Sequence, residues 1–138
     1  MNATPGLRVP PRTLVRKTKE QYLNEGIQLS SLRLYSEAFD AFEQALRLDP
    51  HFADAYFGKG NALYYLRRYE EALLAFEQAI RLAPRNAALH NNRGSALYAL
   101  GRYREALAAY EQALCLDPHR ESAQRGKTLT LRRLGRPS

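Results

Sequence analysis

The residues best equipped for acid–base, nucleophilic or metal chemistry in this 138-residue chain are His51, His90, His119 and Cys115. Their spacing provides no zinc ligand set, and the sequence holds no phosphate loop, nucleophile elbow or dinucleotide fingerprint. Carboxylates such as Glu70-Glu71 recur where helices are expected to start, a position at which negative charge complements the helix dipole. No catalytic residue, metal or cofactor is therefore expected. The groups that remain are amides and phenols: Asn61, Asn91 and Asn92, with Tyr64, Tyr65 and Tyr98. Side-chain amides offer a donor and an acceptor together. That is the chemistry of recognition rather than of bond making.

What must position these groups is a repeat. Pro50, Pro84 and Pro118 stand 34 residues apart, and around each the same columns return: Gly26, Gly60, Gly94; Leu29, Leu63, Leu97; Tyr35, Tyr69, Tyr103; Ala38, Ala72, Ala106; Phe42, Phe76, Tyr110; Ala45, Ala79, Ala113. A fixed period of this length marks a stacked solenoid of small units. Apolar residues at helical spacing predict two helices per unit. First helices are expected at 19–32, 53–66 and 87–100, and second helices at 36–49, 70–83 and 104–117. A seventh helix at 121–134 ends at Gly135, with Pro137 blocking continuation. Each second helix closes before its proline, which disfavours helical geometry in the preceding residue. Glycine in mid-helix costs about 1 kcal/mol against alanine. Its recurrence at 26, 60 and 94 predicts a close helix contact there, with Ala38, Ala72 and Ala106 as the facing partners. The tyrosines at 35, 69 and 103 are expected to pin each helix pair by ring burial.

Bulk properties fit this reading and narrow the function. Apolar residues make up 45% and charged residues 25%, ordinary values for a globular protein. No apolar run approaches the roughly 18–20 residues that span a bilayer, and Met1 to Thr13 lacks a secretory apolar run. A cytoplasmic protein without membrane insertion is the expectation. The single cysteine permits no internal disulfide, and Cys115 shares a column with Arg47 and Arg81, which points it outward. The net charge is +7, and its distribution is uneven. Residues 1–19 and 119–138 are strongly basic, whereas the body between them holds ten basic against thirteen acidic residues. Basic ends can attract nucleic acid. No aromatic residues interleave with them, so a base-stacking platform lacks support and nucleic acid is not expected as the partner.

The Gly/Leu of the first helix followed by Tyr, Ala, Phe/Tyr, Ala and Pro at these offsets resembles the tetratricopeptide repeat. The resemblance covers residues 19–52, 53–86 and 87–120 as full repeats and 121–134 as a capping first helix, with 1–18 a proline-containing basic arm and 135–138 a tail. The sequence departs from the family pattern at its tryptophan column (Tyr22, Tyr56, His90) and at one leucine column (Glu25, Lys59, Arg93). The resemblance implies an all-α, right-handed superhelical solenoid of seven helices in antiparallel pairs, first helices lining a concave groove. It also implies a non-enzymatic scaffold for protein or peptide partners. Some members clamp a partner's terminal carboxylate with Lys and Asn. Asn61 and Asn92 fall at two of those places, but Phe57, Ser122 and Gly126 stand where the cations belong, so binding of chaperone-tail peptides is not expected.

If first helices line the groove, its floor carries the columns Leu23, Phe57, Asn91, Arg125; Asn24, Gly58, Asn92, Gly126; Ile27, Asn61, Ser95, Leu129; and Ser30, Tyr64, Tyr98, Arg132. The floor grades from apolar through amide-rich to basic. Phe57, Asn61, Tyr64, Asn91, Asn92, Tyr98 and Arg125 are the candidate residues for binding an extended segment of a partner. A second reading is a structural subunit that assembles into oligomers or filaments, by head-to-tail stacking or by exchange of the arm.

Overall fold

A computed structural model describes residues 16–136. Seven helices follow one another: α1 (Lys19–Ser31), α2 (Tyr35–Leu48), α3 (Ala53–Tyr65), α4 (Tyr69–Leu82), α5 (Ala87–Ala99), α6 (Tyr103–Leu116) and α7 (Glu121–Arg133). Among the described residues there is no strand. The expected helices are all present. Each second helix begins on its tyrosine rather than after it, one residue earlier than the pattern suggested. Most of the expected 1–18 arm lies outside the described residues. Its last member, Thr18, caps α1 in a reciprocal box with Gln21, the Thr18 hydroxyl accepting from the Gln21 N–H and Gln21 Oε1 accepting from the Thr18 N–H.

Two kinds of turn alternate, each with its own cause. Within a repeat, the first helix ends in a left-handed residue: Arg33 (φ 62), Arg67 (φ 62), Gly101 (φ 75) and, after α7, Gly135 (φ 72). The backbone closes the same way each time; Arg67 N–H donates to Tyr64 and Arg68 N–H to Leu63, a Schellman pair that satisfies helix-end carbonyls. Between repeats, the residue before proline leaves the helical region: Asp49 at φ −143, Ala83 at φ −140 and Asp117 at φ −143. Proline then occupies the second position of a β-turn, closed for example by Phe52 N–H to Asp49 C=O at 3.2 Å. Asp49 also accepts from the His51 N–H at 3.0 Å and from Lys19 Nζ at 2.5 Å, the Lys19 bond being the larger cause that holds its carboxyl below the ordinary range. That tie is present at neutral pH and is lost as pH falls through the lowered pKa.

The packing corrects one expectation. The groups nearest Gly26, Gly60 and Gly94 are the rings of Phe42, Phe76 and Tyr110, not Ala38, Ala72 and Ala106. A Cβ on Gly60 would stand 2.5 Å from Phe76, and one on Gly94 2.8 Å from Tyr110. The next first helix presses on the same ring from the other side, Gly58 against Phe42 and Gly126 against Tyr110. Each ring is thus a wedge shared by two consecutive first helices. The alanines are fully buried at the helix crossing and belong to the same core. Two of the tyrosines, half-buried, pin their own helix pair: Tyr69 meets Tyr64 edge-on at 5.3 Å and Tyr103 meets Tyr98 at 5.2 Å, whereas Tyr35 stacks on Tyr65 of the next repeat.

Consecutive first helices touch one another along the stack, α1 with α3, α3 with α5 and α5 with α7, whereas second helices do not. The first helices therefore sit on the inner, concave side. Successive repeats are also linked by ion pairs from second helix to next first helix: Glu43–Lys59 at 2.8 Å, Glu77–Arg93 at 3.2 Å and Glu111–Lys127 at 3.5 Å. These use the column in which the family pattern prefers leucine. Being half-exposed, each contributes under about 1 kcal/mol. The same column holds Glu25 in α1, which turns back to Lys17 at 2.6 Å.

Arginine in the left-handed region is strained where glycine is not. Replacing Arg33 and Arg67 by Gly should stabilise the fold by about 0.5–1 kcal/mol each, net of the added freedom of the unfolded chain. Thermal unfolding should then shift upward by roughly 3–8 °C for the pair. Gly60→Ala should do the opposite, costing about 1–3 kcal/mol by driving a methyl into the Phe76 ring, which denaturant titration will register.

Candidate functional site

Helical spacing places Asn61, Tyr64 and Tyr65 on one face of α3, and Asn91, Asn92 and Ser95 on the facing surface of α5. Together with the ring of Phe76 they wall a cavity of about 330 Å³ on the concave side. Asn92 occupies the column that holds glycine at 58 and 126, so here an amide projects into the groove where the neighbouring repeats have no side chain. Among the described residues, no charged one lines the cavity.

The three amides form a directed chain. Asn91 Nδ2 donates to Asn92 Oδ1 at 3.3 Å, and Asn92 Nδ2 donates to Asn61 Oδ1 at 2.8 Å. This leaves Asn91 Oδ1 buried without a donor among the described residues. Asn91 is 8% exposed, yet its column is Leu23 and Phe57 in the preceding repeats. An unpaired buried amide oxygen costs about 1–3 kcal/mol. On the same wall, Ser95 Oγ donates to the Asn91 carbonyl and accepts from Tyr110 Oη, both at 3.3 Å. Burial raises the pKa of Tyr64 and of Tyr110, so both phenols remain protonated at neutral pH.

A second cavity of about 360 Å³ adjoins the first and shares Asn61 and Tyr65 with it. Its other walls are Ile27, Ser30, Ser31, Tyr35, Phe42 and Gly58. Tyr35 and Tyr65 stack at 4.7 Å with planes 15° apart, and Tyr65 meets Tyr64 edge-on at 5.5 Å. An apolar, tyrosine-walled hollow thus sits beside an amide-walled one.

Of the residues singled out from sequence, Asn61, Tyr64, Asn91 and Asn92 come together in the first cavity. Phe57 is half-buried and packs against the core instead. The Tyr98 hydroxyl accepts from Arg133 Nε at 3.2 Å and its ring lies against Tyr103. Arg125 lies farther along the stack, in a separate hollow with Gln124, Thr128, Leu129 and Arg132 on α7. Sequence reasoning left Tyr65 and Ser95 off the candidate set. The available signal was their i+4 spacing from Asn61 and Asn91.

The titratable groups that drew attention first have structural places. His90 bonds through Nε2 to the Pro84 carbonyl at 2.8 Å, and Gln124, in the same column, donates to the Pro118 carbonyl at 2.9 Å. Both tie a first helix to the turn before it. His51 and His119 are exposed in turns, and Cys115 is exposed as its column suggested. Among the described residues no group of three or more His, Cys, Asp or Glu could hold a metal ion, and no helix is long and apolar enough to cross a membrane.

Comparison with known proteins agrees with this architecture. No curated protein sequence matches the chain. Among solved structures, the TPR domain of Arabidopsis OM64 superposes with a TM-score of 0.81 at 23% identity, covering 83% of this chain and 94% of that one. The first TPR domain of Spaghetti (RPAP3), bound to the HSP90 peptide SRMEEVD, gives 0.83 at 22% identity, covering 94% and 99%. MamA of Desulfovibrio magneticus RS-1 gives 0.80 at 26% identity, covering 85% and 66%. The family model for the tetratricopeptide repeat matches residues 23–87, 57–125 and 91–137. With the period, the seven helices and the ring wedges already in place, this chain belongs to the tetratricopeptide repeat family.

Proposed function

We propose that this protein is a non-enzymatic interaction module whose concave face binds an extended segment of a partner protein. The observation that carries the reading is Asn91: a buried amide with an unpaired oxygen, standing where the preceding repeats place Leu23 and Phe57. A fold selected for stability alone has no use for that oxygen, and polar residues that oppose stability concentrate at functional sites. Asn61, Asn92, Tyr64, Tyr65 and Ser95 complete the surface. Phe57, Tyr98 and Arg125 flank it at greater distance.

The solved RPAP3 domain holds an acidic peptide. The groove here differs where such a peptide would need cations. Phe57, Ser122 and Gly126 carry none, and the exposed Arg125 belongs to a hollow at the far end of the stack. An acidic C-terminal tail is therefore a poor ligand for the central cavity.

Self-assembly by head-to-tail stacking, one form of the alternative reading, meets opposition at α1. The columns that are buried as Ala55, Leu89 and Ala123, and as Ala62, Ala96 and Thr130, are the exposed Gln21 and Gln28 in α1. Asn24 is exposed in the column of Gly58 and Gly126. Stacking a second copy there would desolvate amides, and Glu25 stands where the later repeats carry the cation of an inter-repeat pair. A particle mass that grows with concentration in light scattering would reinstate this alternative.

Peptides selected from a random library on the full chain supply the test. Asn61→Ala with Asn92→Ala should weaken calorimetric binding by tenfold or more while leaving circular dichroism unchanged, about one hydrogen bond's worth of affinity per amide. Equal affinity in the double variant would take those amides out of the site. Asn91→Leu should separate stability from function, gaining about 1–2 kcal/mol in denaturant titration while losing peptide affinity.

A further inference from the structure

The paired cavities go further than naming a groove, because they restrict what the groove accepts. The amide chain fixes its own remainder. Asn92 is engaged at both its oxygen and its nitrogen, Asn91 Oδ1 lacks a donor, and Asn61 Nδ2 donates to none of the described residues. The Asn91 oxygen and the Asn61 amide nitrogen are left over from the amide chain, beside the Tyr64 and Tyr65 hydroxyls, and none of the described lining residues carries a formal charge. A carboxamide carries N–H donors and a carbonyl acceptor on a single carbon, the complement of an unpaired amide oxygen and an unpaired amide nitrogen. A carboxylate brings two acceptors toward Asn91 Oδ1, and an ammonium brings a charge to walls with no acid to receive it. The adjoining hollow selects on different grounds. Ile27 and the stacked Tyr35–Tyr65 rings take apolar surface, with the almost wholly buried Phe42 ring packed against Gly58 in the wall behind them.

We infer that the groove reads an uncharged peptide pair: an Asn or Gln carboxamide seated against Asn61, Asn91 and Asn92, with an apolar side chain in the Ile27–Tyr35–Tyr65 hollow. In an extended strand, side chains two residues apart point the same way at about 7 Å. Two cavities that share Asn61 and Tyr65 as walls suit that spacing. This inference rests on the groove being the binding surface, and it specifies the ligand class for that surface.

The probes are capped heptapeptides on the full chain: acetyl-Ala-Ala-Leu-Ala-Gln-Ala-Ala-amide, its Glu, Lys and Leu replacements at the Gln position, and its Ala replacement at the Leu position. Binding is read by isotope-edited NMR through the side-chain amide signals of Asn61, Asn91 and Asn92. The Gln peptide should shift those signals and bind roughly tenfold more tightly than the Glu, Lys and Leu versions. The Ala-for-Leu peptide should lose a similar factor while still moving the Asn61 signal. Asn91→Leu should abolish the preference for Gln over Leu yet retain peptide binding. If all versions bind through the groove with equal affinity, the groove reading survives and the carboxamide inference is overturned. If no peptide perturbs a groove signal, both fail together.

Discussion

One side chain per repeat holds this molecule together: the aromatic ring at 42, 76 and 110. It emerges from a second helix and meets the first helix of its own repeat at a glycine column. On its far side it meets the first helix of the next repeat, again at glycine for Phe42 and Tyr110. A ring gripped from both sides buries nearly all its surface, and a large aromatic supplies more burial than any aliphatic residue at the same place. The grip exists only if the next repeat is present. This is why a helix pair of this kind cannot bury its apolar side alone, and why the fold grows by stacking.

The same dependence sets the curvature. Because the ring needs a close backbone approach from two first helices, those helices are drawn together, and the second helices spread on the outer side. The concave face follows from where the small residues are, not from the groove residues themselves. The inter-repeat Glu–Lys/Arg pairs then favour the register in which each repeat meets its neighbour. Their energies are small, but they give the stack a direction, and Glu25 shows that the direction is not continued at α1 by the same pairing.

Against this regular background the middle repeats depart in a localised way. Asn92 replaces a ring-gripping glycine, Asn91 replaces an apolar packing residue, and Tyr110 reaches Ser95 with the hydroxyl that Phe42 and Phe76 lack. All three departures converge on one concave cavity. Asn91 gives up polar satisfaction, Asn92 gives up a close backbone approach, and Tyr110 gains a bond to Ser95, whereas outside the groove His90, Asp49 and the Glu–Lys/Arg pairs serve turns and inter-repeat ties. The division of labour is physical: glycines, rings and alanines hold the stack, and amides and tyrosines wall the concave cavities.

The repeat length, the seven helices and their ends at proline were legible in the sequence, while the concave placement of first helices came only with the family resemblance. They depend on periodicity and on backbone restrictions that act within a few residues, as in the non-helical Asp49, Ala83 and Asp117 before each proline. The residue facing each glycine was not legible. Alanine and the aromatic both recur at the same period, and only the tilt of the packed helices selects the ring. The candidate site was half legible for the same reason. Column arithmetic placed Asn61, Tyr64, Asn91 and Asn92 on the floor, but it treats all floor positions as equal. Whether a side chain opens to the groove, as Asn61 does, sinks toward the core, as Phe57 does, or is held by an arginine from another repeat, as Tyr98 is, depends on neighbours 30 or more residues away, and tertiary packing alone brings those within reach.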